Sequence, residues 1–340
     1  MKFAMGYQPS SLASNDLPAI IEEVKDQVAE VYFPWVGTPS GRSPLGVGVG
    51  GFDWAAQEVL EHDLAAIKRL GVQLDLLLNA NCYGGKALSC ELANEVVSIL
   101  ARLRDLDLMP EIVTTASPLI AQITKTAFPS IRTRASVNMR IESVEAMSYV
   151  ADLFDGFYLR RDRQRNLDYV RLVSHWCKKN GKELGMLANS GCLYECPWQS
   201  FHDNLVAHEK EISACRNVEW EPYLCRQLFQ NADKRTAIMK CSWIRPEDLA
   251  HYEGLVDVVK LATRMHAHPK LVLTAYAERH YSGDLLMLLE PGHNEAFAGY
   301  YIDNGRFPSD WFEHTSTCVR NCENCDYCQL AYGQVAGHPI

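Results

Sequence analysis

What most constrains this chain is an alternation. A short apolar run is followed by a stretch with helical spacing, and the pair recurs until eight runs are counted. The runs fall at residues 2–7, 31–33, 74–78, 111–114, 134–138, 156–159, 184–188 and 257–261. Apolar residues at helical spacing occupy 17–28, 57–70, 88–106, 118–126, 144–153 and 167–178, with Ser14, Asn15 and Asp16 as a cap for the first. A helical turn at 246–252 precedes the eighth strand, and helix is expected across 269–289. Strands alternating with helices build a parallel sheet. Eight of them in 340 residues predict a TIM-like (β/α)8 barrel, with a doubly wound sheet as the alternative.

Residues 190–240 are too many for one βα connection. They are expected to form an insertion above the C-terminal face of the barrel, where barrel enzymes keep their chemistry. The predicted division is a barrel over 1–290, with its insertion, and a cysteine-rich, metal-binding segment over 291–340.

The insertion carries cysteines. The seventh run ends in Asn189-Ser190-Gly191 and passes into Cys192 and Cys196; Cys225 and Cys241 follow, giving Cys-x3-Cys-x28-Cys-x15-Cys. Four thiolates are the full ligand set of an iron–sulfur cluster or a closed zinc site. A second set, Cys318, Cys322, Cys325 and Cys328, lies within eleven residues. Four thiols so close together are poor candidates for core packing and good ones for a metal. The first three have the Cys-x3-Cys-x2-Cys spacing of radical S-adenosylmethionine enzymes, but that motif normally follows the first strand of a barrel. With a fourth thiolate at hand, a closed electron-transfer or structural cluster is expected, and zinc stays open as the alternative there. Cys82, Cys90, Cys177 and Cys215 are unassigned, although Cys82 at a strand end competes with Cys225 and Cys241 as a ligand.

Twelve cysteines are too few for a disulfide scaffold of this length. The N-terminal residues lack the pattern of a signal peptide, and no apolar run is long enough to span a bilayer. A reducing, cytoplasmic compartment is therefore expected. The net charge of -9 argues against a broad nucleic-acid-binding surface.

Gly46, Gly48 and Gly51, with Gly50, formally match Gly-x-Gly-x-x-Gly, but they stand far from the preceding strand, and Phe52-Asp53 replace the Lys-Ser/Thr of a P-loop. Flexibility is the expected role. The predicted strand ends are more informative. They carry Asn79 and Asn81, Asn138 and Arg140, Arg160, Asn189, and Lys260 with Arg264, while His202 and Asn204 are expected to face the same cavity. Such a set suits an anionic or amide-bearing ligand. Neither a defensible Ser-His-Asp arrangement nor a His-Glu-x-x-His motif is present.

Residues 189–192 and 196–198, with Phe201-His202-Asp203-Asn204 behind them, resemble the peptidase U-32 family, also called collagenase-like peptidases. Residues 240–249 and 257–264 strengthen the likeness, which covers roughly 1–270. The resemblance implies a TIM-like barrel with an oxygen-sensitive 4Fe–4S cluster, here on Cys192, Cys196, Cys225 and Cys241. It also implies oxygen-independent hydroxylation, which relatives perform on tRNA, ribosomal RNA or the ubiquinone ring, some drawing oxygen from prephenate. The cysteine spacing departs from that of the nucleic-acid-modifying members, and the tail set is not general in the family.

The expected function is thus an iron–sulfur redox enzyme, a hydroxylase or related modifier of a small molecule or macromolecule, served by an electron-transfer partner and an anionic oxygen donor. Asn79, Asn138, Arg160, Asn189, His202, Lys260 and Arg264 are its candidate substrate-binding residues. The alternatives are a metal-dependent peptidase, a zinc-stabilised binding module and a radical S-adenosylmethionine enzyme.

Overall fold

The computed structural model describes residues 1–9, 16–41, 45 and 52–337. The cap residues Ser14 and Asn15 and the glycines Gly46, Gly48, Gly50 and Gly51 lie outside the described residues.

Eight parallel strands close a barrel in chain order: β1 (Lys2–Gly6), β2 (Val28–Pro34), β3 (Gln73–Leu78), β4 (Ile112–Thr115), β5 (Arg132–Ala135), β6 (Gly156–Tyr158), β7 (Glu183–Leu187) and β8 (Val258–Lys260). Closure sets Lys2 of β1 opposite Val258 and Ala4 opposite Lys260 of β8. Helices α1 (Leu17–Glu23), α2 (Trp54–Arg69), α3 (Cys90–Asp105), α4 (Pro118–Ala127), α5 (Val144–Tyr149) and α6 (Leu167–Lys179) occupy the crossovers. Each begins at a residue built to start it. Asp16, Asp53, Ser89, Ser117, Ser143 and Asn166 all accept the N–H three residues on, each such cap contributing about 1 kcal/mol. The TIM-like barrel is borne out.

Phe3, Met5, Val31, Phe33, Leu74 and Leu76 join Leu60, Leu64, Leu100 and Val173 of the helices in one hydrophobic core. Fully burying such a side chain contributes roughly 1.5–3 kcal/mol.

The barrel interior differs from the apolar runs that locate it. A separate small cluster of Ala4, Tyr32, Leu77 and Val258 shares the inside with buried ionic groups. Arg134 of β5 donates from Nη1 and Nη2 to the two carboxylate oxygens of Glu30 on β2, at 2.5 and 2.9 Å. It also lies 3.5 Å from Asp75 of β3. Thr114 donates to Asp75 at 2.9 Å.

Several boundaries differ from expectation. The helix expected over 17–28 stops at Glu23; a 3-10 turn (Lys25–Gln27) follows, and Val28 already pairs with Phe3. β5 stops at Ala135, so Asn138 sits in a 3-10 turn (Val137–Met139) rather than in a strand. Ser136 Oγ takes the Asn138 N–H, and Arg140 adopts a left-handed φ of 52°. α5 ends at Tyr149 rather than running to 153.

The insertion between β7 and β8 holds α7 (Gln199–Ala207), α8 (Glu209–Ser213), α9 (Leu224–Gln230) and a 3-10 stretch (Ala232–Lys240). A 3-10 helix (Pro246–Tyr252) leads into β8. The helix expected over 269–289 is α10 (Pro269–Glu278) alone: Arg279 turns left-handed at φ 55°, and a separate 3-10 turn (Leu285–Leu288) follows. The chain finishes with α11 (Asn294–Phe297), β9 (Tyr301–Ile302), α12 (Trp311–Ser316), α13 (Tyr327–Val335) and β10 (Ala336–Gly337), β9 and β10 pairing antiparallel. Ile302, Trp311, Ala331 and Val335 enter the same hydrophobic core as the barrel. Among the described residues no helix is long and apolar enough to cross a membrane.

Candidate functional site

The chain after β7 is threaded through a narrow gap. Gly191 donates to Glu290 O at 3.1 Å, and its own carbonyl meets His293 Nε2 at 2.8 Å. A Cβ on Gly191 would stand 2.2 Å from the Pro291 carbonyl oxygen, so only glycine passes here. Cys192 follows, its N–H reaching Ser190 Oγ at 3.4 Å and its carbonyl accepting from Ser242 N at 2.9 Å. That second bond ties the Cys192 loop to the segment of Cys241, which ends the 3-10 stretch (Ala232–Lys240). Cys196 lies just beyond, after Glu195 in a left-handed turn of φ 45°. Cys225 is on α9.

Cys241 is fully buried, whereas Cys192, Cys196 and Cys225 are half-buried. Burial pushes the Cys241 thiol well above its usual range; Arg165 opposes this, and charge on Cys192, Cys225 or Cys196 would add to it. No cysteine forms a disulfide. Among the described residues no group of three or more His, Cys, Asp or Glu side chains is drawn together to hold a single metal ion. A four-iron cluster, with one thiolate on each iron, needs a wider frame than one tetrahedral ion does. Ser242 Oγ, beside Cys241, is buried and without a hydrogen-bond partner. A half-open thiol set with such a spare donor suits a cluster whose sulfurs accept hydrogen bonds.

A cleft of about 140 Å³ opens beside Cys192 at the C-terminal ends of the strands. Asn79, Asn138, His202, Lys260 and Arg264 line it, as expected from the sequence. Lys260 ends β8 at 7% exposure, its ammonium 3.8 Å from the Tyr32 ring centre. Burial pulls the Lys260 ammonium down and pushes the Asp75 carboxyl up, and each charge opposes the other's shift. Arg264 is anchored by donation to Ser40 Oγ at 2.8 Å and to the Gly41 carbonyl. Asn79 Oδ1 accepts from Gly41 N at 3.4 Å.

Two expected residues are placed elsewhere. Asn189 is fully buried, holding Leu288 O at 2.9 Å and the backbone of Ala262 at 2.6 Å, so it fastens β7 to the chain after β8. Arg160 is gripped by Asp162 at 2.6 and 3.0 Å and by Glu142, outside the cleft lining.

Its neighbour Arg161 does line the cleft, donating to Cys192 Sγ at 3.3 Å and to Asn138 Oδ1 at 2.8 Å. Asn204 is exposed on α7; Gln199, His202, Asp203 and Val206 supply the cleft-facing side, at spacings of three and four that share one helix face. Arg161, Gln199, Asp203 and Glu290 escaped the sequence reading. Arg161 and Glu290 sit in loops without periodicity.

The tail cysteines Cys318, Cys322, Cys325 and Cys328 line a second cleft, of about 490 Å³, with Arg165, Lys240 and Arg320. The remaining thiols are dispersed. Cys82 Sγ accepts from Gly84 N at 3.4 Å, Cys90 and Cys215 are exposed, and Cys177 is buried in α6 with its thiol pushed up to about 12 by burial.

No family model matches the chain. It is 28% identical, over 324 residues, to an uncharacterized protease of Methanocaldococcus jannaschii, covering 93% of this chain and 91% of that one. Among solved structures, a U32 peptidase superposes with a TM-score of 0.51 at 17% identity, covering 76% of this chain and 92% of that one. That likeness is one of fold.

Proposed function

We propose that this (β/α)8 barrel, which shares its fold with a U32 peptidase, is an iron–sulfur redox enzyme that modifies its substrate without molecular oxygen. The observation that carries this reading is that Cys192, which lines a cleft with Arg161, Lys260 and Arg264, accepts at its carbonyl from Ser242 N, so that its loop is tied to the segment of Cys241. Cys192, Cys196, Cys225 and Cys241 would hold a 4Fe–4S cluster, which supplies one-electron transfer when bound.

The chain's own residues supply the rest. Arg161 donates to the Cys192 sulfur and, through Asn138, joins that thiolate to the cleft wall. Arg264, held by Ser40 and the Gly41 carbonyl, fixes a positive charge on the cleft wall that suits a carboxylate. Lys260 sits where a bound anion would favour its protonated form and allow it to deliver a proton. The cleft has room of about 140 Å³ and a cationic lining, so an anionic oxygen donor or small substrate fits better than a nucleic-acid strand. Thiolate ligands of this kind require a reducing compartment, and the cytoplasm is the one proposed.

The test is the iron, zinc and acid-labile sulfide content of protein purified without oxygen, beside the same measurement on Cys192→Ser. Iron with sulfide that falls in the variant is expected. Stoichiometric zinc without sulfide, unchanged by the variant, would falsify the redox reading. The related protein's name favours a peptidase instead; cleavage of casein that disappears in Cys192→Ser would establish that activity.

A further inference from the structure

Arg165 lies between the two cysteine sets. It is 6% exposed and donates from Nη1 to Met239 O at 2.7 Å and from Nε to Trp243 O at 2.9 Å, the carbonyls two residues before and two after Cys241. Its guanidinium lies 4.0 Å from the Trp243 ring centre. Its remaining nitrogen, Nη2, is buried without a hydrogen-bond partner, and the residue lines the cleft of the four tail cysteines. A buried guanidinium with one unused donor beside four thiols lacks an anion to complete it.

The two sets are joined at further points. Lys240 lines the tail cleft while Cys241, the next residue, belongs to the barrel set. Arg320, two residues after Cys318, lies 4.1 Å from the ring centre of Tyr194, which stands between Cys192 and Cys196. The Arg320 N–H also points at Cys318 Sγ at 3.4 Å.

We propose that Cys318, Cys322, Cys325 and Cys328 hold a second iron–sulfur cluster that shares Arg165 with the barrel cysteines. This rests on the reading that the barrel set holds a cluster. The tail set is the outer one: Cys322 and Cys325 are exposed, while Cys328 is half-buried on α13. With both clusters bound, the exposed tail set would be the point of electron entry. A low-potential one-electron carrier protein would lose one electron to the tail cysteines' cluster, and that cluster would pass it inward past Arg165 to the one held by Cys192, Cys196, Cys225 and Cys241.

The test uses full-length protein prepared without oxygen, in wild type, Cys318→Ser/Cys322→Ser and Cys192→Ser/Cys196→Ser forms. Wild type is expected to carry about eight iron and eight sulfide, and each double variant about half. The reduced wild type should show an electron paramagnetic resonance spectrum broadened by two neighbouring spins, collapsing to one simple signal in the tail variant. Arg165→Met should lower the reduction potentials of both centres, since a cation stabilises the more negative reduced state, and Arg165→Lys should restore part of the shift. Iron unchanged in the tail variant, zinc in the tail, or an Arg165 effect on one centre alone overturns the proposal. If the tail variant loses iron and the barrel variant does not, the barrel reading fails, and with it the shared arginine.

Discussion

Arg161 Nη1 donates to the Cys192 sulfur at 3.3 Å, and its partner nitrogen holds Asn138 Oδ1 at 2.8 Å. One guanidinium thereby sets both the direction of a candidate ligand and the wall of the cleft. Groups that orient a metal ligand in this way typically change metal affinity or activity by about 10–100-fold when removed. In Arg161→Leu, iron should be lost to a chelator at least about tenfold faster than from wild type, with Arg161→Lys between the two. Equal rates in all three proteins would show that the contact orients nothing.

Gly191 has no room for a side chain, because the Pro291 carbonyl oxygen would stand 2.2 Å from its Cβ. Overpacking against backbone cannot be relieved by a rotamer change, so Gly191→Ala should destabilise by about 1–3 kcal/mol or more and lower iron content. Gly333 in α13 meets nothing within 4 Å, and Gly333→Ala should be neutral or stabilising by about 0.5–1 kcal/mol. Denaturant midpoints compare the pair.

Trp243 is fully buried, stacked on Trp311 with ring centres 5.6 Å apart. Trp243→Ala should cost about 3–5 kcal/mol through the cavity it leaves. Equilibrium unfolding in urea reads this directly; a loss below about 1 kcal/mol would mean that the site collapses around the vacancy.

His266 is held neutral. Burial, with the neighbouring His268, lowers it to about 4 from 6.5, while its Nδ1 accepts the His268 N–H at 3.0 Å. The unfolded chain therefore binds the proton first, and the stability tied to the neutral ring is complete above about pH 6.5 and lost as pH falls toward 4. The stability gap between wild type and His266→Gln should shrink by roughly 3 kcal/mol across that window. A gap that stays constant with pH would place the titration elsewhere.

The outward faces of the strands carried most of what could be read in advance. Val31, Leu74 and Leu76 pack under helices and announce themselves as apolar runs. Glu30, Asp75 and Arg134 point into the barrel, where charge is tolerated only because each finds a partner from another strand. A single chain segment gives no sign of that pairing. The cleft was legible where strand order alone decides position, as for Asn79, Lys260 and Arg264. It was illegible where adjacent residues diverge. Arg160 turns to Asp162 while Arg161 turns to Cys192, and Asp203 lines the cleft that Asn204 leaves.

The ionic interior of the barrel is balanced, with Glu30 and Asp75 set against Arg134 and Lys260. Losing one partner strands a charge in the centre of the fold, at a cost of about 3–5 kcal/mol, whereas exchanging a pair for apolar groups of similar volume is often neutral. Descendants of this chain should therefore rarely pass through single replacements at these positions. The four residues should drift as matched pairs or stay fixed together, leaving in any lineage a record of joint change that single-site comparison would miss.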